Sequence, residues 1–92
     1  MKELKDTVQA VMDKNPITNR LAFDGMALSG EAGETANKIK KMLWYPGYPQ
    51  DIEPIVDELS DVLFHVQALC ITLGVSLEDL SSYCVQKQKS RL

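Results

Sequence analysis

This chain has little of what most alternatives to a helical domain would require. It contains two cysteines, four prolines, five glycines and one histidine, and no stretch alternates apolar and polar residues as a half-buried strand does. Cys70 and Cys84 lack CxxC spacing, so a redox dithiol is excluded and two free thiols, buried on helices in a reducing compartment, are expected. His65 is the only histidine and neither cysteine has a base near it in sequence; covalent catalysis of the Ser-His-Asp or Cys-His kind therefore lacks its parts. Positive charge is scarce as well. Ten Lys and Arg stand against 13 Asp and Glu, for a net charge of −3, whereas a nucleic-acid partner demands a basic face. No apolar run is long enough to span a membrane, and MKELKDTVQAVMDK carries charges throughout, unlike a signal peptide. A cytoplasmic location, with no nucleic-acid or membrane partner, is expected.

What is present is helical periodicity. Leu4, Val8, Val11 and Met12 share one face of a first helix over about residues 2–14, which must end before Asn15-Pro16 because proline disfavours helical geometry in the preceding residue. A second helix, capped by Thr18 or Asn19, runs to about Leu43. Gly30 and Gly33 interrupt it at about 1 kcal/mol each relative to alanine, a cost that a close-approaching neighbour or ligand, or simply a kink, would explain. Trp44 to Gln50 reads as a loop from its Pro-Gly chemistry. Asp51 is placed to cap a third helix, with Pro54 tolerated in its first turn and Gly74 ending it. Ser76 and Asp79 form a capping-box variant that opens a fourth helix to about Arg91. Ninety-two residues make one domain, residues 1–92, of all-α class, and so short a helical chain buries only a thin core alone. With 45% hydrophobic residues, the surplus apolar surface predicts a homo-oligomer, a dimer or a dimer of dimers.

Two carboxylate pairs stand out at i, i+3 spacing: Glu31 and Glu34 in LSGEAGETANKIKK, and Glu58 and Asp61 in IVDELSDVLFHV. Each pair projects from one side of its helix, so two such helices packed together would point four acids into one volume. Solvated acids are the plain alternative, since charged residues make up 25% of the chain. Position argues for more. Glu58 and Asp61 border the apolar stripe Ile52, Ile55, Val56, Leu59, Val62, Leu63, Val66, Leu69 and Leu73, and the first pair lies beside Leu21, Leu28, Ala32, Ala36, Ile39 and Leu43. Like charges at the edge of a core repel and lose hydration unless a cation joins them. Oxygen-only donors suit a hard divalent ion.

EAGE followed after 23 residues by ELSD resembles the ExxE…ExxD signature of the MazG-like nucleoside triphosphate pyrophosphohydrolases, the all-α NTP pyrophosphatase superfamily. ALSGEAGETANKIKK, DELSDVLFHVQALCITLGVSLEDL and KQKSR resemble successive blocks of that family, from about residue 19 onward. Cys84, where an Asn is expected, and His65, where aromatics are common, depart from the pattern. The resemblance implies a four-helix-bundle-type fold completed by oligomerisation, and magnesium-dependent hydrolysis of (d)NTPs between the α- and β-phosphates, with manganese as a possible substitute. It also implies a house-cleaning role in the nucleotide pool. Glu31, Glu34, Glu58 and Asp61 would be the metal ligands and catalytic acids, one of them orienting or deprotonating water. Alternatives are a phosphoribosyl-ATP pyrophosphohydrolase of the same superfamily, or a non-catalytic helical oligomer that binds nucleotide or a protein.

Phosphate binding needs positive charge opposite the acids. Lys87 and Arg91 lie at i, i+4 and match the family's KxxxR ending, with the guanidinium suited to bidentate phosphate contacts; their alternative is to favour a helix C-terminus. Lys38, four residues after Glu34, has the spacing of a weak surface ion pair of roughly 0.3 kcal/mol and is a candidate to stand behind the acids. His65 shares the face of Glu58 and Asp61, which suits either contact with a base or a polar core position. Trp44 could stack on a base or, more often for such aromatics, pack at an interface. Asn37, three residues after Glu34, could hydrogen-bond base or sugar, or simply be solvated.

Overall fold

In the computed structural model, which describes all residues 1–92, the chain forms four helices and no strand: α1 Lys2–Lys14, α2 Arg20–Trp44, α3 Glu53–Leu73 and α4 Leu77–Lys89. Their ends follow local chemistry. The Asn19 side chain accepts a hydrogen bond from the Ala22 amide, and Ser76 accepts one from the Asp79 amide, each satisfying a first-turn donor that has no partner within its helix. Before α3, Asp51 Oδ1 accepts from the Glu53 amide at 3.1 Å, although Ile52 occupies the cap position. The loop after α2 is a type II turn: Pro46 sits at its second position, Gly47 takes φ +75°, and the Tyr48 amide donates to the Tyr45 carbonyl, the geometry for which glycine is chosen at the third position. Gln50 Nε2 then donates to the Met42 carbonyl at 2.8 Å, tying the loop to the end of α2. Gly74, at φ +73°, stops α3 in the left-handed conformation.

Helices α2 and α3 pack antiparallel, with residue numbers rising on one as they fall on the other: Asp24 meets His65, and Glu31 faces Glu58. Helix α1 lies against α3 and contributes the buried Val8. α4 turns away at 105° to α3 and makes almost no contact with the rest of the protomer. Only Val8, Ala68, Cys70 and Leu77 form a buried apolar core. No single helix is long and apolar enough to cross a membrane.

Several expectations are corrected here. The apolar stripe of α3 is only partly covered: Ile52, Val56, Leu59, Leu63 and Leu73 remain exposed, as do Leu21, Ile39 and Leu43 on α2, because two long helices and one short one cannot enclose them. Cys70 is buried but Cys84 is exposed, since α4 beyond Leu77 has nothing packed on it. Neither Gly30 nor Gly33 is needed for a close approach; a Cβ at either would meet nothing within 4 Å, and α2 continues through both. Finally, α4 ends at Lys89, so Arg91 lies beyond the helix.

The protomer is open. Its 6813 Å² of accessible surface exceeds by roughly 1,400 Å² what a compact monomer of its 10.3 kDa presents. The radius of gyration, 15.6 Å, compares with about 12 Å for a compact chain of this length.

Candidate metal centre

Glu31 and Glu34 project from α2 and Glu58 from α3, and one carboxylate oxygen from each lies within 4.8 Å of the other two. Three acids this close are held by the pairing of the helices, since residues three and four apart share a helical face. Thr35, buried at the same level, turns its hydroxyl back to the Glu31 carbonyl at 2.9 Å and so demands nothing from its surroundings. Glu58 is buried, Glu31 half-buried and Glu34 exposed. Asp61, one turn beyond Glu58, is exposed and stands outside the trio, yet its charge acts on Glu31.

Electrostatics separates the acids. Burial pushes the Glu31 carboxyl above the usual glutamate range, and the neighbouring acids Glu58, Glu34 and Asp61 add to the rise. Glu58 moves the other way. The Lys38 ammonium, 2.9 Å from Glu58 Oε1, holds it below the usual range, against the opposing effect of burial. Lys38 in turn is raised, first by its hydrogen bond to Glu58, then by the nearby charges of Glu58, Asp57 and Tyr48. The spacing with Glu34 had predicted a surface pair, but the flexible lysine reaches across to the more buried acid on α3. Even so, Glu31 Oε2 and Glu58 Oε2 are buried without any hydrogen-bond partner. Unpartnered buried carboxylate oxygens are expensive. Two of them in one all-oxygen cluster fit a hard divalent cation such as magnesium or manganese, with Glu31, Glu34 and Glu58 to hold it and Asp61 a turn away.

The other expected site residues are dispersed. His65 lies seven residues after Glu58, two turns deeper along α3. Its Nδ1 is 2.8 Å from Asp24 Oδ1, and its ring meets Phe64 edge-on at a centroid distance of 5.1 Å; this is the polar-core alternative, with Nδ1 already engaged. Asn37 is exposed. Trp44, 73% exposed, is 13 residues and so roughly 20 Å along α2 from Glu31. Lys87 and Arg91 are exposed and follow the Gly74 corner, about 24 Å along α3 from Glu58 by helical rise. Because α4 turns away there, the structure does not bring them to the acids within one chain.

The residues that sequence reasoning missed are Asp24 and Arg20. Asp24 is fully buried, and its second oxygen accepts from Arg20 Nε at 2.7 Å, while Arg20 also donates to the Asn15 carbonyl and lies over the Phe23 ring. A signal existed. Asp24 precedes Glu31 by seven residues, as Glu58 precedes His65 by seven, so the face carrying the acids also carries this pair two turns below.

Comparisons with known proteins bear on the family of the chain. The family profile described as the MazG nucleotide pyrophosphohydrolase domain matches residues 25–92. The chain is 35% identical over 74 residues to the Gene 37 protein of Mycobacterium phage L5, a match that takes in 77% of this chain and 65% of the phage protein. The chain thus spans somewhat less than two thirds of that relative's length. No solved structure matches it.

Proposed function

Because the chain belongs to the family of MazG nucleotide pyrophosphohydrolase domains, we propose that it hydrolyses nucleoside triphosphates, (d)NTPs, between the α- and β-phosphates in a magnesium-dependent reaction, releasing a nucleoside monophosphate and pyrophosphate. The observation that carries this reading is the Glu31, Glu34 and Glu58 cluster with its two buried, unpartnered oxygens. A divalent ion bound there would neutralise phosphate charge and lower the pKa of a water. The protein's own contributions divide by environment. Glu58, ionised by its contact with Lys38, supplies a fixed negative charge. Glu31, whose carboxyl pKa is raised by burial and by its acidic neighbours, would be favoured in its ionised form by a bound cation. Glu34 and Asp61, both exposed, are the acids open to solvent, and one of them would orient or deprotonate the water.

Assembly belongs to the same proposal. The roughly 1,400 Å² of excess surface is more than the ~800 Å² that one partner buries in a stable complex, and it is rich in Leu, Ile and Val from α2 and α3. A homo-oligomer, a dimer or dimer of dimers, would cover those faces. It is also the way Lys87 and Arg91 would come near phosphates, across a contact between copies. Trp44, 73% exposed at the end of α2, is then an interface residue before it is a base contact.

The test is a screen of the purified protein against the common NTPs and dNTPs, together with phosphoribosyl-ATP, with magnesium and with EDTA, measuring pyrophosphate. Release with one or more nucleotides, abolished by EDTA and reduced by orders of magnitude in Glu58→Gln, is expected. Metal-independent release, or full turnover in Glu58→Gln, would refute the assignment.

A further inference from the structure

Lys38 does something that metal-binding acids do not require of a neighbour: it occupies one of them. Its Nζ lies 2.9 Å from Glu58 Oε1, and no other acid of the trio has a cationic partner. Lys38 also lines a cleft of about 560 Å³ with Asp51, Glu53, Asp57 and Ser60, of which Glu58 is not a wall. Its side chain is one-third exposed and has four rotatable carbons, so it can reach either the acid or the cleft. We propose that Lys38 is a built-in counter-charge that offsets part of the acid cluster's charge when no metal is present and swings into this acidic cleft when a divalent cation binds, an inference that rests on the metal site proposed above.

The argument is one of charge balance. Three carboxylates within 4.8 Å repel one another, and in the metal-free protein the ammonium relieves part of that repulsion. A cation arriving at the cluster, even if it engages only the free Oε2 of Glu58, would share a carboxylate with a like charge. The ammonium is therefore pushed outward. There it meets Asp51, Glu53 and Asp57, so its own charge stays paired and displacement costs little. The cluster's negative charge is partly offset in both states, and the competition from the ammonium leaves a weaker metal affinity than the acids alone would give.

Removing the lysine should then tighten metal binding, opposite in sign to the loss expected if Lys38 merely held Glu58 in position. In calorimetric titrations with manganese and with magnesium alone, without nucleotide, Lys38→Met is expected to bind roughly three- to tenfold more tightly than the wild type, the size a unit charge close to a divalent ion has in a water-like dielectric. Lys38→Arg, which keeps the charge, should bind like the wild type. The metal-free Lys38→Met protein should melt earlier, and its metal-induced rise in melting temperature should be larger. Lys38→Gln, polar and of similar length, serves if the methionine variant does not fold. Equal or weaker metal binding in the charge-removed variant would overturn the proposal while leaving the metal site standing; absence of metal binding in the wild type would overturn both.

Discussion

Replacing Asp24 by alanine should be among the most damaging single changes available in this chain. Asp24 is fully buried between Arg20 and His65, whose side chains are 14% and 11% exposed. Both partners are within 2.8 Å. Asp24→Ala removes the one acceptor they share and leaves a guanidinium facing a dry helix contact, and breaking a buried pair in this way costs about 3–5 kcal/mol. A chain of this length has in total about 5–14 kcal/mol, so about a fifth of the stability or more goes, and at about 4–8 °C per kcal/mol the midpoint should fall by ~12 °C or more. Asp24→Asn keeps the shape but presents an NH₂ group to one of the two donors, and should lose roughly 1.5–3 kcal/mol. A third variant isolates the cause. If the penalty comes from stranded polar groups and not from a cavity, the apolar replacement Arg20→Met, Asp24→Leu, His65→Phe should recover most of the lost stability. Urea denaturation followed by circular dichroism, without added metal, measures all three. An Asp24→Ala midpoint within about 1 kcal/mol of the wild type would show that the network is not what holds α2 to α3.

The remaining predictions concern the same two helices and their surface. Glu31 has a raised pKa when folded, so the stability tied to its protonated form is complete below the ordinary glutamate range and is lost as pH rises through the raised value; Glu31→Gln should therefore stabilise the metal-free protein at neutral pH, with a gain that shrinks to nothing in acid, and an equal gain at every pH would contradict this. Gln67 is 1% exposed with Oε1 unpartnered, and Gln67→Met, similar in volume, should raise stability by about 1 kcal/mol in a denaturant melt, whereas destabilisation would mean that the amide has a partner. Sedimentation velocity at micromolar concentration should give a dimer or larger species, and a fully active monomer would refute the covered apolar faces.

The sequence made the helices legible because their signals are local. Asn19, Ser76 and Gly74 act on amides and carbonyls a few residues away, and all three took the positions their chemistry indicated. The acid pairs were legible for the same reason: i, i+3 spacing fixes a shared face before any packing is known. What could not be read was which partner each charge would find. Lys38 had Glu34 one turn away but reached Glu58 on another helix, a choice decided by burial and not by spacing. Asp24 has no local sequence partner that marks it as buried; its place is set by His65, 41 residues later. Lys87 and Arg91 fell in the right order along the chain, but the 105° corner after α3 carries them away from the acids. Sequence order says nothing of such an angle.

The seven-residue spacing of Asp24, Glu31 and Lys38 along α2 has a consequence for which packings the chain rejects. The apolar residues of α2 and α3 would tolerate a slip of two turns in either direction, because leucine, isoleucine and valine recur on both. The charges would not. Sliding one way puts Asp24 opposite Glu58, two acids without a cation; sliding the other gives His65 the Glu31 carboxylate but leaves buried Asp24 opposite Thr72 and separates Glu31 from Glu58. In either shifted pairing Arg20 loses the bridge that Asp24 now makes to α3. Polar layers set two turns apart thus act as teeth on an otherwise smooth seam, and the register that brings Glu31 to Glu58 is the one in which Asp24 also finds its histidine.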